Sequence, residues 1–189
     1  MSKRTQFSFT LTVALILVGT AAVLVPTAAM GQDVAVGQAT ATVQTPLTVT
    51  APNDLQFGTI FQGVPTSVAN NSANAGVFAI NGTAGVGISV YLQLPDYMAT
   101  ATGDDRMVIS FSATDCSIDT TGNADPTAFG GGFANTNPHS LPNGVYIGSQ
   151  GGAVNNTNIF LGGSVYPSVD QTAGSYSADI ILTVAYNGS

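Results

Sequence analysis

Cys116 and His139 are the single cysteine and the single histidine of this chain. A thiol beside an imidazole is the core of a cysteine nucleophile activated by a general base, provided the fold brings the two within hydrogen-bond reach and a third group orients the ring. Both residues fall between Asp115 and Asn143, a stretch without regular periodicity, and no orienting group stands at a suitable spacing. The pattern points away from enzymatic catalysis, so neither a catalytic residue nor a cofactor is expected. The same stretch holds Asp115, Asp119 and Asp125 among Ser117, Thr120 and Asn123. These are hard oxygen donors of the kind Ca²⁺ takes. Their spacing lacks the glycine and the terminal glutamate of an EF-hand loop, so a solvated acidic loop is expected, with a weak calcium site as the alternative.

Charge narrows the partners. The chain of 189 residues carries 3 basic and 10 acidic residues, a formal net charge of −7, and every acid is an aspartate. Two of the basic residues, Lys3 and Arg4, open the sequence and precede an uncharged apolar run over residues 7–25. Small residues follow, Ala29 and Gly31 among them, which is the layout of a cleaved signal peptide spanning residues 1–31. A retained membrane anchor is the competing reading of that run. After cleavage Arg106 alone faces the ten aspartates, a net charge of about −9. One cation cannot neutralise phosphates, which excludes nucleic acid and an anionic membrane surface as partners. Export would permit a disulfide, but a lone cysteine closes none within the chain.

The elements that must position these groups read as strands. Odd residues from Ala35 through Gly37, Ala39, Ala41 and Val43 to Leu47 and Val49 are small or apolar, and the even ones are mostly Thr and Gln, so residues 34–50 alternate as a half-buried strand does. Pro46 interrupts it, having no amide donor. An extended arm over residues 32–46 therefore precedes a body over residues 47–189. Further strands are expected over residues 55–61, 77–80, 86–94, 107–113, 145–147, 159–166 and 176–186. Asn81-Gly82 reads as a hairpin turn between two of them. A short hairpin is expected around Phe129 to Phe133. About seven to nine short strands separated by turn signals indicate an all-β, immunoglobulin-like antiparallel sandwich.

One arrangement of short boxes has a familiar order. Pro46-Leu47-Thr48-Val49-Thr50 is followed by Asp54-Leu55-x-Phe57-Gly58-Thr59-Ile60-x-x-Gly63, and the chain closes with Gly174-Ser175-Tyr176 through Thr183-Val184-Ala185-Tyr186. This resembles the bacterial domain of unknown function 4402 family, which is similar in outline to spore coat protein U and, more distantly, to chaperone-usher pilins. The resemblance implies an incomplete sandwich whose missing strand comes from the N-terminal extension of another subunit, with a periplasmic chaperone and an outer-membrane usher as further partners. It also implies a last-strand motif, here Gly174 with Tyr176 and Tyr186. The chain departs from the pilins in ending three residues after Tyr186 and in having no cysteine pair.

The expected role is thus a structural, pilin-like subunit of an extracellular filament on the bacterial surface, a homopolymer whose arm residues Ala35, Gly37, Ala39, Ala41 and Val43 enter a neighbour. Twelve residues, 34–45, extended at about 3.3 Å each, reach about 40 Å. The alternative is a monomeric secreted adhesin or carbohydrate-binding sandwich with its receptor site between Asp115 and Asn143.

Overall fold

The computed structural model describes residue 35, residues 37–128 and residues 134–188. The chain divides into two units, Met1–Ala41 and Thr42–Ser189. In the first, the described residues 35 and 37–41 are exposed and belong to no strand. The expected signal peptide and the hairpin expected around Phe129 to Phe133 lie outside the described residues.

The second unit is an antiparallel β-sandwich. Its strands are β1 (Thr48–Asn53), β2 (Thr66–Val68), β3 (Gly76–Asn81), β4 (Gly87–Gln93), β5 (Tyr97–Thr100), β6 (Arg106–Ser110), β7 (Cys116–Asp119), β8 (Ala134–Thr136), β9 (Val145–Tyr146), β10 (Asn156–Leu161), β11 (Gly163–Tyr166), β12 (Tyr176–Ser177) and β13 (Ile181–Tyr186). One sheet has the order β1-β3-β10-β7-β8. Opposite it stand β12-β5-β6-β11-β2 and β13-β4-β9. Two interruptions divide that second layer. Pro95 lies between β4 and β5, where it cannot donate to a ladder, and residues 178–180 separate β12 from β13.

Alternation puts one face of each strand inside. In β6, Met107 and Ile109 are buried while Arg106, Val108 and Ser110 are exposed. These two meet Phe78 and Ile80 of β3, Ile159 and Leu161 of β10, Ile88 and Leu92 of β4, Cys116 of β7 and Val165 of β11 in a single core. Full burial of an Ile, Leu or Phe side chain contributes about 1.5–3 kcal/mol, so a core of this size needs no disulfide. The outer face of β10 is closed as well: Asn158 and Phe160 are fully buried. The segment after β7 crosses it, with Asn158 Nδ2 donating to the Asn123 carbonyl at 2.9 Å.

Three expectations from the sequence are corrected. Asn81-Gly82 makes no hairpin, because β3 and β4 belong to different sheets. The positive φ in that connection, 73°, is carried by Gly85. Gly82 is required for space, since a Cβ there would lie 2.6 Å from the Tyr186 hydroxyl oxygen and 2.8 Å from Leu47 Cδ2. Residues 55–61 form no strand; Gly58 turns the backbone with φ 68°, and Leu55, Phe57 and Ile60 instead lean against the core from its edge. Residues 159–166 form two strands in different sheets, joined at Gly162, where a side chain would overlap the Val68 carbonyl.

Candidate functional site

The first sheet ends at β1 and the facing sheets end at β12 and β13, each hydrogen-bonded among the described residues to a neighbour on one side only. All six residues of β1 are exposed, and β13 alternates between exposed and half-buried residues along its whole length. Residues from both sides line the gap between these edges. One wall carries Ala51, Asn53 and Leu55, and the other carries Tyr176, Ala178 and Ile180. Asp54, Ser177 and Asp179 add polar groups to the same walls.

The gap holds two chambers of about 520 and 510 Å³ that share Leu55, Met98 and Tyr176. The first continues along Phe57 and Ile60 to Gly174, and Met107 also lines it. The second reaches Phe78 and Ile181. Local sequence builds these walls. Gly76 admits Leu55, for a Cβ on Gly76 would stand 3.3 Å from the Leu55 Cβ. The Gln56 N–H donates to the Asn74 carbonyl at 3.0 Å and holds the wall in place. At Gly174 a Cβ would meet only Thr100 Cγ2, at 3.9 Å, so glycine there leaves the chamber open and is not demanded by the backbone. The core is therefore unfinished along this side: Leu55, Phe57, Ile60, Met98, Tyr176, Ile180, Leu182 and Val184 pack on it but remain partly exposed.

Tyr176 stands where the chambers join, and a polar cluster fixes it. Its hydroxyl lies 2.7 Å from the Asp105 carboxylate and 2.7 Å from the Thr172 carbonyl; its one proton serves one of them at a time. Gln171 Nε2 donates to that hydroxyl at 2.9 Å and to Asp105 at 3.0 Å, and the Thr172 N–H donates to Asp105 at 2.9 Å. The Tyr176 hydroxyl, followed by Thr172, holds the Asp105 carboxyl well below the usual carboxylate range. Desolvation first, and the adjacent Asp105 second, push the Tyr176 phenol up.

Tyr186 lies away from the chambers. Its hydroxyl accepts the Thr83 N–H at 2.8 Å and donates to the Thr45 carbonyl at 2.7 Å. The Thr45 N–H donates to Thr83 Oγ1 at 2.9 Å. The last-strand residues thus divide: Gly174 and Tyr176 line the gap, and Tyr186 holds the chain where it joins the sandwich. The arm residues Ala35, Gly37, Ala39, Ala41 and Val43 are exposed and form no strand, so the strand expected over residues 34–50 begins only at Thr48. Pro46 has no N–H and both backbone groups of Thr45 are engaged, which ends the ladder there.

Cys116 and His139 form no catalytic pair. Cys116 is fully buried, its sulfur 3.9 Å from the Ser117 carbonyl, and desolvation pushes its thiol up to about 12. His139 is exposed, with Nε2 3.0 Å from the Phe111 carbonyl. The three aspartates each serve their own turn. Asp115 accepts the Ser112 N–H at 2.7 Å. Asp125 accepts the Thr127 N–H at 2.8 Å and its hydroxyl at 2.7 Å, and these two bonds hold its carboxyl below the usual range. Asp119 accepts the N–H groups of Thr121 and Asn123 at 2.9 and 3.0 Å. It is fully buried, which corrects the expectation of a solvated loop at that position.

Sequence reading missed Met98 as part of the gap wall, and Asp105 and Gln171 as the groups that hold Tyr176. Met98 lies on a strand of only four residues, Tyr97–Thr100, and the polar pair is distant from Tyr176 in the case of Asp105, so no local period marks either. Comparison with protein-family models and with curated proteins finds no match for this chain.

Proposed function

We propose that this chain is a structural, pilin-like subunit of an extracellular bacterial filament, completed by a β-strand from another copy of itself. The observation that carries the reading is the gap between β1 and β12–β13, lined by the partly exposed core residues Leu55, Met98 and Tyr176 and bordered by strand edges that, among the described residues, pair on one side only. Open strand edges beside uncovered core are a hazard in an isolated soluble domain. An added strand removes the hazard, because its backbone pairs with the edges and its alternate side chains fill the chambers. The arm before Pro46 fits as donor: its small residues repeat every second position, and its Thr and Gln face stays hydrated. Until assembly, a periplasmic chaperone is the expected occupant of the gap, with an outer-membrane usher as the exit.

In this reading the protein acts by assembling, without catalysis or cofactor, after export directed by residues 1–31. The test is negative-stain microscopy of the mature protein beside a variant lacking residues 34–44, which retains Thr45 and its bonds. Filaments from the full mature chain and none from the shortened one are expected. Filaments of normal length from the shortened chain would overturn the proposal.

A further inference from the structure

The bonds made by Tyr186 bear on which gap the arm can enter, a question that rests on the filament reading above. Thr45 has both its backbone groups engaged by the body, the carbonyl by the Tyr186 hydroxyl and the N–H by Thr83 Oγ1. Pro46 follows, with φ fixed near −65° and no donor, and it confines the preceding residue to extended conformations. Leu47 then packs against the core beside Gly82. Thr45 and Leu47 are thus anchored to the body on either side of Pro46, at the point where the chain joins the sandwich.

That point is remote from the chambers. Tyr186 closes β13, whereas the nearer chamber begins at Ile181, the first residue of the same strand. Five residue steps along a strand amount to about 17 Å. For the arm to fill the gap of its own subunit it would have to double back next to Thr45. A turn centred on Thr45 and Pro46 is barred by the clasp and by the proline, so the reversal would fall on residues 42–44. It would then use up Val43, one of the three valines of the arm, before the strand reached the chamber, and leave only residues 34–41 to cover the distance to the chamber and fill it.

We infer that the clasp of Tyr186, Thr83 and Thr45 keeps the arm out of its own gap and so directs it to a second copy. Tyr186 is in this sense a positioning residue: it touches neither chamber, yet it selects between closure within one subunit and linkage of two. The clasp also gives the last-strand tyrosine a physical reason to carry a hydroxyl, which packing on the core alone would not require.

Disulfide trapping separates the possibilities. Ala39→Cys marks the arm and Ala178→Cys marks a gap wall; the native Cys116 is buried, with its thiol pushed up to about 12, and stays silent. Mature chains carrying one change each are mixed and oxidised, and the double variant is oxidised at high dilution, with linked peptides identified by mass spectrometry. The expected product is interchain in the mixture, with little intrachain bond in the double variant. Tyr186→Phe, which removes the bond to Thr45, is expected to raise the intrachain fraction about fivefold, the effect of one hydrogen bond. Thr83→Val, which removes the acceptor of the Thr45 N–H, gives the same comparison should Tyr186→Phe misfold. An intrachain bond predominating in the unmodified background would overturn the inference while leaving the gap a strand acceptor. An unchanged product ratio in both clasp variants would overturn the role of Tyr186. Absence of both the interchain and the intrachain bond would overturn the strand-acceptor reading itself.

Discussion

Replacing Gly82 by alanine puts one methyl group into the tightest place of the sandwich's end. The added Cβ would stand 2.6 Å from the Tyr186 hydroxyl oxygen and 2.8 Å from Leu47 Cδ2, so both must retreat. Retreat of the hydroxyl breaks the bonds to Thr83 and Thr45, at about 0.5–1.5 kcal/mol each. Leu47 loses part of its burial at about 25 cal/mol per Å², and the sum is about 2–3 kcal/mol. In a chain of this length that lowers the melting temperature by about 4–12 °C. The assay is thermal unfolding followed by circular dichroism at a concentration where the chain is monomeric, with Gly174→Ala as the control. At Gly174 the nearest foreign atom is 3.9 Å from the added Cβ, so that change is expected to stay within about 0.5 kcal/mol. Equal melting temperatures for the two variants would refute the packing argument at Gly82.

Three further outcomes follow from the side-chain environments. Asp105 has a lowered folded pKa, so the stability it contributes is fully present above the ordinary carboxylate value of about 3.9 and fades as pH falls below it. The stability difference between the native chain and Asp105→Asn is expected to be constant from about pH 5 to 8 and to shrink below about pH 4; a difference that persists undiminished at pH 2 would contradict this. Asp119→Ala strands the Thr121 and Asn123 N–H donors and is expected to destabilise by about 2–4 kcal/mol in denaturant titration, while a chelator leaves the native melting temperature unchanged; a drop restored by calcium would assign a metal to the loop. Cys116 is buried, so the native fold is expected to resist alkylation at pH 8, and reductant to leave its stability unchanged; rapid labelling would show that β7 opens.

The strands that carry a clean period were legible. Residues 176–186 alternate between half-buried and exposed without an exception, although the chain leaves the ladder at residues 178–180. Met107, Ile109 and Phe111 are buried as their spacing requires. What escaped was decided at a distance. A dipeptide such as Asn81-Gly82 signals a reversal only when its flanking strands pair with each other, and here each pairs within its own sheet. The buried outer face of β10 depends on the segment that crosses it, and Asn158 has no apolar signature. Of the site, Gly174 and Tyr176 were reached through resemblance and Leu55 and Phe57 as members of a supposed strand. Asp105 and Gln171 act on Tyr176 through hydrogen bonds that no spacing rule records.

Hydrogen exchange on assembled filaments tests most directly whether the gap receives a strand. In the monomer the outward amides of β1 and β13 have no ladder partner among the described residues and are expected to exchange as exposed groups. On assembly, slow exchange is expected in residues 48–53 and 181–186 together with residues 34–44, because a strand lying in the gap pairs with an edge and covers the chambers. Filaments in which those three segments exchange as fast as in the monomer would contradict assembly through the gap.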